Sequence, residues 1–234
     1  MKNYIIHDEW KIIEEGFHKD ENRITESLLS IGNGRSGQRA NFEEKYSGDT
    51  LRGSYVAGIY YPDKTRVGWW KNGYPEYFAK ILNAANWIGI DVWIDGEELD
   101  LNTATILRFR RDLDMKSGLL SRSFIARLDS GKEIEVHAKR FLSISEQEIG
   151  AISYSVKALN FSGMLTFVPY IDGDVVNEDS NYDENFWIGV SQKVDGCLGY
   201  VCTETKKTAF RVCTGMNFSV KKGRFVSSSG NKRH

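Results

Sequence analysis

No run in this sequence approaches the roughly 18 apolar residues that a membrane-spanning helix requires, so no span is expected. The opening MKNYIIHDEW has neither an apolar core region nor a small-residue cleavage site, and no signal peptide is expected. Cysteine is scarce. Cys197, Cys202 and Cys213 are the three, an odd number with no CxxC spacing. That count argues against a disulfide framework and fits a reducing, cytoplasmic location. His7, His18, His137 and His234 lack metal-ligand spacing, so no metal site is expected. Charge of one sign is also missing. The 31 basic and 32 acidic residues nearly cancel, which excludes a general nucleic-acid binder. GxSxG, HExxH and P-loop motifs are absent, and Gly32-Asn33-Gly34 lacks the third glycine and following helix of a dinucleotide fingerprint.

What the chain does have is aromatic residues in one place. Thr65 to Trp87 carries Trp69, Trp70, Tyr74, Tyr77, Phe78 and Trp87, six in 23 positions, against 12% aromatic for the whole chain. Gly68 and Gly73 bracket the tryptophan pair and place it on a loop. Aromatic faces beside Lys71, Asn72 and Glu76 suit a sugar, whose C–H face stacks on a ring while its hydroxyls meet amide and charged groups. Trp69, Trp70, Lys71, Asn72, Tyr74, Glu76 and Tyr77 are therefore candidates for carbohydrate binding or an interface. Plain packing of these aromatics is the alternative.

The rest reads as strands. Ile5–Ile6 and Ile12–Ile13 suggest short edge strands. Residues 26–44 read as strand, irregular turn and strand around Gly32, Gly34 and Gly37. Asp95-Gly96 between alternating runs gives a hairpin in which Val92 faces Leu99 and Ile90 faces Leu101. Asp91 and Asp100 then share the other face, which must be solvated or meet a cation. In 122–141, a three-residue loop Asp129-Ser130-Gly131 pairs Phe124 with Val136, Ala126 with Ile134 and Arg127 with Glu133. Residues 149–170 alternate again. The acidic stretch with Asp172, Asp174, Glu178, Asp179 and Asp183 lacks a calcium-loop ladder and reads as a solvated loop. Three or four more strands follow from 187 to 220. Many short strands with glycine turns predict an all-β fold, a large antiparallel β-sandwich over 1–220. Residues 221–234 hold five Lys/Arg and no acid. They read as a basic, disordered tail.

Several of these segments together resemble glycoside hydrolase family 65. They are Glu26-Ser27-Leu28-Leu29-Ser30-Ile31-Gly32-Asn33-Gly34, Gly37 to Glu44 (GQRANFEE), Asn86-Trp87 leading to Ile94-Asp95-Gly96-Glu97, Arg111 to Gly118 (RDLDMKSG), Arg122, and Arg140-Phe141-Leu142-Ser143. The insertion around Gly68-Trp69-Trp70 is similar to that of the family's maltose-phosphorylase branch. The resemblance covers about residues 5–215. It implies an N-terminal super-sandwich, open to lacking its final strands, of an enzyme that phosphorolyses an α-glucoside such as maltose with inversion, giving β-glucose 1-phosphate. Inorganic phosphate is the only co-substrate and no cofactor is implied. The catalytic glutamate and phosphate site lie on an (α/α)₆ barrel that this chain does not reach, so no catalytic residue is carried over. The resemblance implies that barrel and a second subunit as partners. A free-standing carbohydrate-binding module and a nonfunctional truncated fragment remain open alternatives.

Overall fold

The computed structural model describes residues 4–66, 73, 75–222 and 225–227. It is built almost wholly of antiparallel strands with one short α-helix. The chain divides into two compact units. One comprises Met1–Arg52 and Ile88–Val168, the other Gly53–Trp87 and Pro169–His234.

The first unit centres on a six-stranded sheet. Its spatial order is Ile5–His7, Lys11–Glu15, Thr105–Asp114, Leu119–Arg127, Glu133–Leu142, Gly150–Ala158. Strict alternation places Phe109, Phe124, Ala126, Ile134 and Val136 on one face, where they join Val92, Ile94, Leu99, Leu101 and Phe42 in the main core. Complete burial of such a side chain is worth about 1.5–3 kcal/mol. The opposite face carries Arg110, Ser123, Glu135, His137 and Lys139, so the sheet is apolar inside and polar outside. Leu165–Pro169, Ile90–Ile94 and Glu97–Glu98 form the small sheet that contributes the facing layer.

The register of the Leu119–Arg127 hairpin is the one that alternation predicts: Phe124 opposite Val136, Ala126 opposite Ile134, Arg127 opposite Glu133. Leu128 and Lys132 close a three-residue loop with Gly131 at φ +81°. The Asp95-Gly96 turn also forms, both residues having positive φ. Asp91 and Asp100 are buried rather than solvated. Asp100 accepts from the Ser47 and Asn102 amides, and the ammonium of Lys45 meets Glu98 on the same hairpin at 2.5 Å.

The structure differs from the sequence pattern at two elements of the first unit. Residues Asn22–Leu28 form a helix, so the strand read from Glu26 starts only at Ile31. Its buried stripe is Asn22, Thr25, Glu26 and Leu29. The spacing is helical, but three of the four residues are polar, so a search for apolar periodicity misses it. Lys11–Glu15 is an interior strand, paired on both sides. After the helix, the strand, turn and strand read around Gly32, Gly34 and Gly37 form as Ile31–Gly32 paired with Ser36–Gln38.

The second unit holds a hairpin, Tyr60–Lys64 with Tyr77–Ile81, and a three-stranded meander, Trp187–Asp195, Leu198–Thr205 and Arg211–Asn217. Its core is Tyr61, Leu82, Ala84, Val175, Phe186 and Trp187. Within the predicted disordered tail, Phe225–Ser227 pairs with Val220–Lys222 as a further strand. Cys202 lies opposite Cys213 in the meander and the two form a disulfide, so one local bridge exists where the cysteine count predicts none.

The Asp95 carboxylate locks its turn from outside. Oδ1 accepts from the Met164 amide at 2.6 Å and Oδ2 meets Lys132 Nζ at 2.9 Å. A Cβ at Gly163 would collide with that carboxylate, whereas one at Gly189 would meet nothing. Gly163→Ala is expected to cost about 1–3 kcal/mol by overpacking. Gly189→Ala is expected to stay within about 0.5 kcal/mol. Urea midpoints of the two variants check this.

Candidate functional site

Two sets of residues qualify. The first is the aromatic stretch that the sequence singles out. Trp69, Trp70, Lys71, Asn72 and Tyr74 lie outside the described residues. Glu76 and Tyr77 stand at the loop end of the hairpin, both exposed. The Glu76 carbonyl accepts from the Thr65 amide at 2.8 Å, and Tyr77 opens the second strand opposite Lys64. Tyr60, Tyr77 and Ile81 lie on one face of this hairpin, each between 46% and 69% exposed.

The hairpin foot is held by the acidic stretch, which is more than a solvated loop. Asp63 is fully buried. Its Oδ2 accepts from the Asn181 amide at 3.0 Å and meets Lys80 Nζ at 3.2 Å. Lys80 also reaches Asp179 Oδ2 at 3.3 Å. Tyr61 stacks on Phe186 and donates its hydroxyl to Glu184 Oε1 at 2.6 Å. Burial, with the Glu184 hydrogen bond, raises the Tyr61 pKa. Burial alone would raise Glu184, but hydrogen bonds from Tyr61 and Lys207 outweigh it and hold the carboxyl low.

The second set is in the first unit, and pattern reading did not assemble it. On the inward face of the six-stranded sheet, the apolar rows are interrupted by arginines. Phe109, Arg111 and Leu113 follow one another on one strand; Leu120, Arg122 and Phe124 on the next; Val136, Ala138 and Arg140 on the third. Arg111 and Arg122 are direct cross-strand partners. The row separates the main core from a smaller one of Leu29, Ile31, Ala40, Leu113 and Leu120. The three arginines are between 1% and 5% exposed.

Burying a guanidinium without partners is prohibitive, so each charge must be met. Arg111 donates Nε to Glu14 Oε2 at 2.9 Å, Nη1 to the Ala40 carbonyl at 2.7 Å and Nη2 to Asn22 Oδ1 at 3.3 Å. Arg122 Nη2 reaches Glu43 Oε2 at 2.5 Å and both oxygens of Glu44 at 2.8 and 2.6 Å. Arg140 donates Nη1 to Glu43 Oε1 at 3.0 Å and Nη2 to the Asn41 carbonyl at 3.2 Å. Glu43 thus bridges Arg122 and Arg140. Tyr154 adds a 2.5 Å hydrogen bond to Glu44. The Phe42 ring takes the Arg111 and Arg122 guanidinium carbons, each at 5.0 Å from its centroid. The stretch Asn41-Phe42-Glu43-Glu44 therefore spends every residue on the arginines. Nearby, Glu26 accepts from Asn22, Thr50 and the Leu51 amide, and Arg39 lies 3.9 Å away. Four arginines (39, 111, 122, 140) balance four glutamates (14, 26, 43, 44).

The balance is tight rather than free. Burial pushes the Glu43 carboxyl up, but Arg140 and Arg122 outweigh it and hold it below the ordinary value. For Glu14, burial outweighs Arg111 and the carboxyl stays raised. Burial likewise lowers Arg111 and Arg140. Burial works against Arg122 too, yet Glu44 and Glu43 overcome it and raise that group. A general acid needs a proton to give and a substrate within reach. Here the carboxylates are engaged by arginine and closed off from solvent, so the cluster is a structural device. Its sequence signal was parity: an arginine at an inward position on three adjacent strands.

Breaking one partner strands the others. Glu43→Gln is expected to cost about 3–5 kcal/mol, the range for a broken buried pair. Arg127→Ala, which removes an exposed pair with Glu133, is expected to cost under about 1 kcal/mol. Equilibrium urea unfolding distinguishes them. The pH dependence has two signs. A depressed Glu43 contributes stability above the ordinary glutamate pKa of about 4.3 and loses it as pH falls through its lower folded value. A raised Glu14 contributes below about 4.3 and loses that contribution as pH rises through its higher folded value. Glu14→Gln is therefore expected to flatten the stability–pH curve above about pH 4.3, and Glu43→Gln below it.

Known proteins share this chain's sequence and fold. The family described as glycosyl hydrolase family 65, N-terminal domain, matches residues 12–233. Maltose phosphorylase of Bacillus subtilis (strain 168) is 47% identical over 203 residues, which cover 87% of this chain and 27% of that protein. Alpha,alpha-trehalose phosphorylase of Thermoanaerobacter brockii is 35% identical over 218 residues, covering 87% of this chain and 28% of that protein. Among solved structures, a putative kojibiose phosphorylase from the human microbiome superposes with a TM-score of 0.84 at 28% identity, covering 95% of this chain and 29% of that one. The chain thus spans a little over a quarter of the length of these relatives. The resemblance carried by Gln38 to Glu44, Arg111, Arg122 and Arg140 is one of buried architecture, and the chain belongs to the glycosyl hydrolase family 65 N-terminal domain family.

Proposed function

We propose that this chain is the non-catalytic β-sandwich of a maltose-phosphorylase-type enzyme. In that enzyme an α-glucoside such as maltose is cleaved by phosphate with inversion, giving glucose and β-glucose 1-phosphate. The chemistry resides in a catalytic barrel outside these residues. The sandwich supports that barrel and a homodimer interface, in the cytoplasm. One observation carries the reading: the residues shared with the family converge on a closed ionic cluster, not on an open pair of carboxylates. Inverting hydrolysis needs two such groups about 6.5–9.5 Å apart with a bond between them, and phosphorolysis, in which phosphate is the nucleophile, still needs one carboxyl group open to the leaving-group oxygen as general acid.

The exposed apolar face of the hairpin, Tyr60, Tyr77 and Ile81, supports an interface role for the aromatic stretch from Trp69 to Tyr77. The same face favours a second reading, a free-standing carbohydrate-binding module. Titration calorimetry separates the two. The support reading expects no heat with millimolar maltose, whereas saturable binding abolished by Trp69→Ala/Trp70→Ala establishes the module.

The purified chain is expected to release no glucose from maltose in phosphate buffer, measured by coupled glucose assay. Phosphate-dependent release would overturn the non-catalytic assignment.

A further inference from the structure

The meander of the second unit has an inward and an outward face. Trp187, Thr203, Thr205 and Val212 point in towards the apolar core. Register then puts Lys193, Asp195, Leu198, Tyr200, Cys202, Glu204, Arg211, Cys213, Gly215 and Asn217 on the outward side. Cys202 and Cys213 are direct partners there, with Cα atoms 4.0 Å apart and their sulfurs bonded. The two residues are not equivalent. Cys202 lies on the central strand and is 8% exposed, while Cys213 lies on the edge strand and is exposed.

The neighbourhood accentuates that asymmetry. Gly215, two positions from Cys213 on the same face, has no side chain to cover it, and a Cβ there would only just touch its surroundings. Tyr200, Gly215, Leu198, Asn217, Lys193 and Asp195 line an open depression of about 530 Å³, and Tyr200 and Gly215 are the next register pair to Cys202 and Cys213 on this face. It offers a small molecule an apolar floor and charges of both signs. A thiolate reaches a disulfide along the line of the two sulfurs and attacks whichever is accessible.

We propose that the Cys202–Cys213 bridge is a thiol–disulfide exchange site, opened at the Cys213 sulfur by a small peptide thiol of the glutathione class. The incoming thiolate forms a bond to Cys213 Sγ as the S–S bond breaks, and Cys202 leaves as a thiolate that takes a proton from solvent. A second thiolate then attacks the thiol's own sulfur in the mixed disulfide. That releases the oxidised dimer of the thiol and leaves Cys213 reduced. Two electrons pass from the thiol pair to the protein bridge, and the reverse sequence restores it. The third cysteine, Cys197, is free and takes no part.

The test is adduct mapping by peptide mass spectrometry. The air-oxidised chain is treated with reduced glutathione and quenched in acid at intervals. The expected result is a 202–213 bridge before treatment, then a transient glutathione adduct on Cys213 and none on Cys202, with the same pattern in Cys197→Ser. With oxidised glutathione, Cys213 in Cys202→Ser is expected to react at least about tenfold faster than Cys202 in Cys213→Ser, following access. Three free thiols in the air-oxidised chain, a bridge through Cys197, or an adduct on Cys202 would each overturn the proposal. The mapping on the unaltered chain stands even if a variant folds poorly.

Discussion

Three guanidinium groups inside an apolar sheet face set the terms for the first unit. Arg111, Arg122 and Arg140 sit between two hydrophobic clusters, and nothing apolar can satisfy them. Glu43 and Glu44 have to be delivered there, which fixes the path of residues 39–46 across the sheet. The helix at Asn22–Leu28 follows from the same demand. Its buried stripe presents Asn22 to Arg111 and Glu26 towards Arg39, the Thr50 hydroxyl and the Leu51 amide. An apolar replacement of equal volume is often no less stable than such a cluster. What the ions add is uniqueness: a slip of one residue in any of the three strands turns an arginine out to solvent and leaves a carboxylate stranded.

Much of this fold was legible in residue order. Alternation chose the three-residue loop at Asp129-Ser130-Gly131 over a two-residue one, and the register agrees pair by pair. Asp95-Gly96 announced its turn because both positions need positive φ. The helix was not legible, because its inward residues are polar and hydrophobic periodicity is blind to them. The cluster was visible only as a set of motifs. Nothing local says that Glu43 meets Arg140, 97 positions later. The bridge between Cys202 and Cys213 was hidden for a similar reason: the cysteine count argues against it, while the strand register that brings the two together is a property of the meander.

The candidate site is less legible still. The aromatic stretch draws attention by composition, yet the hairpin that carries it is anchored by residues of opposite character. Asp63, Asp179 and Glu184 engage Lys80, Tyr61 and Lys207 at its foot. Acidic residues that read as solvated loop thus act as counter-charges in a half-buried base. Composition identifies which side chains are unusual; it does not say which of them hold and which are held.

The long sequence separations in the cluster also order events in time. Glu14 and Glu43 are synthesised about 97 residues ahead of Arg111 and Arg140. At about 5–20 residues per second, a growing chain waits some 5–20 seconds between making the carboxylates and making their partners. During that interval the carboxylates stay hydrated. Burying Glu14 or Glu43 before its arginine is made would leave an uncompensated charge. The cluster is complete only once Arg140 has been made.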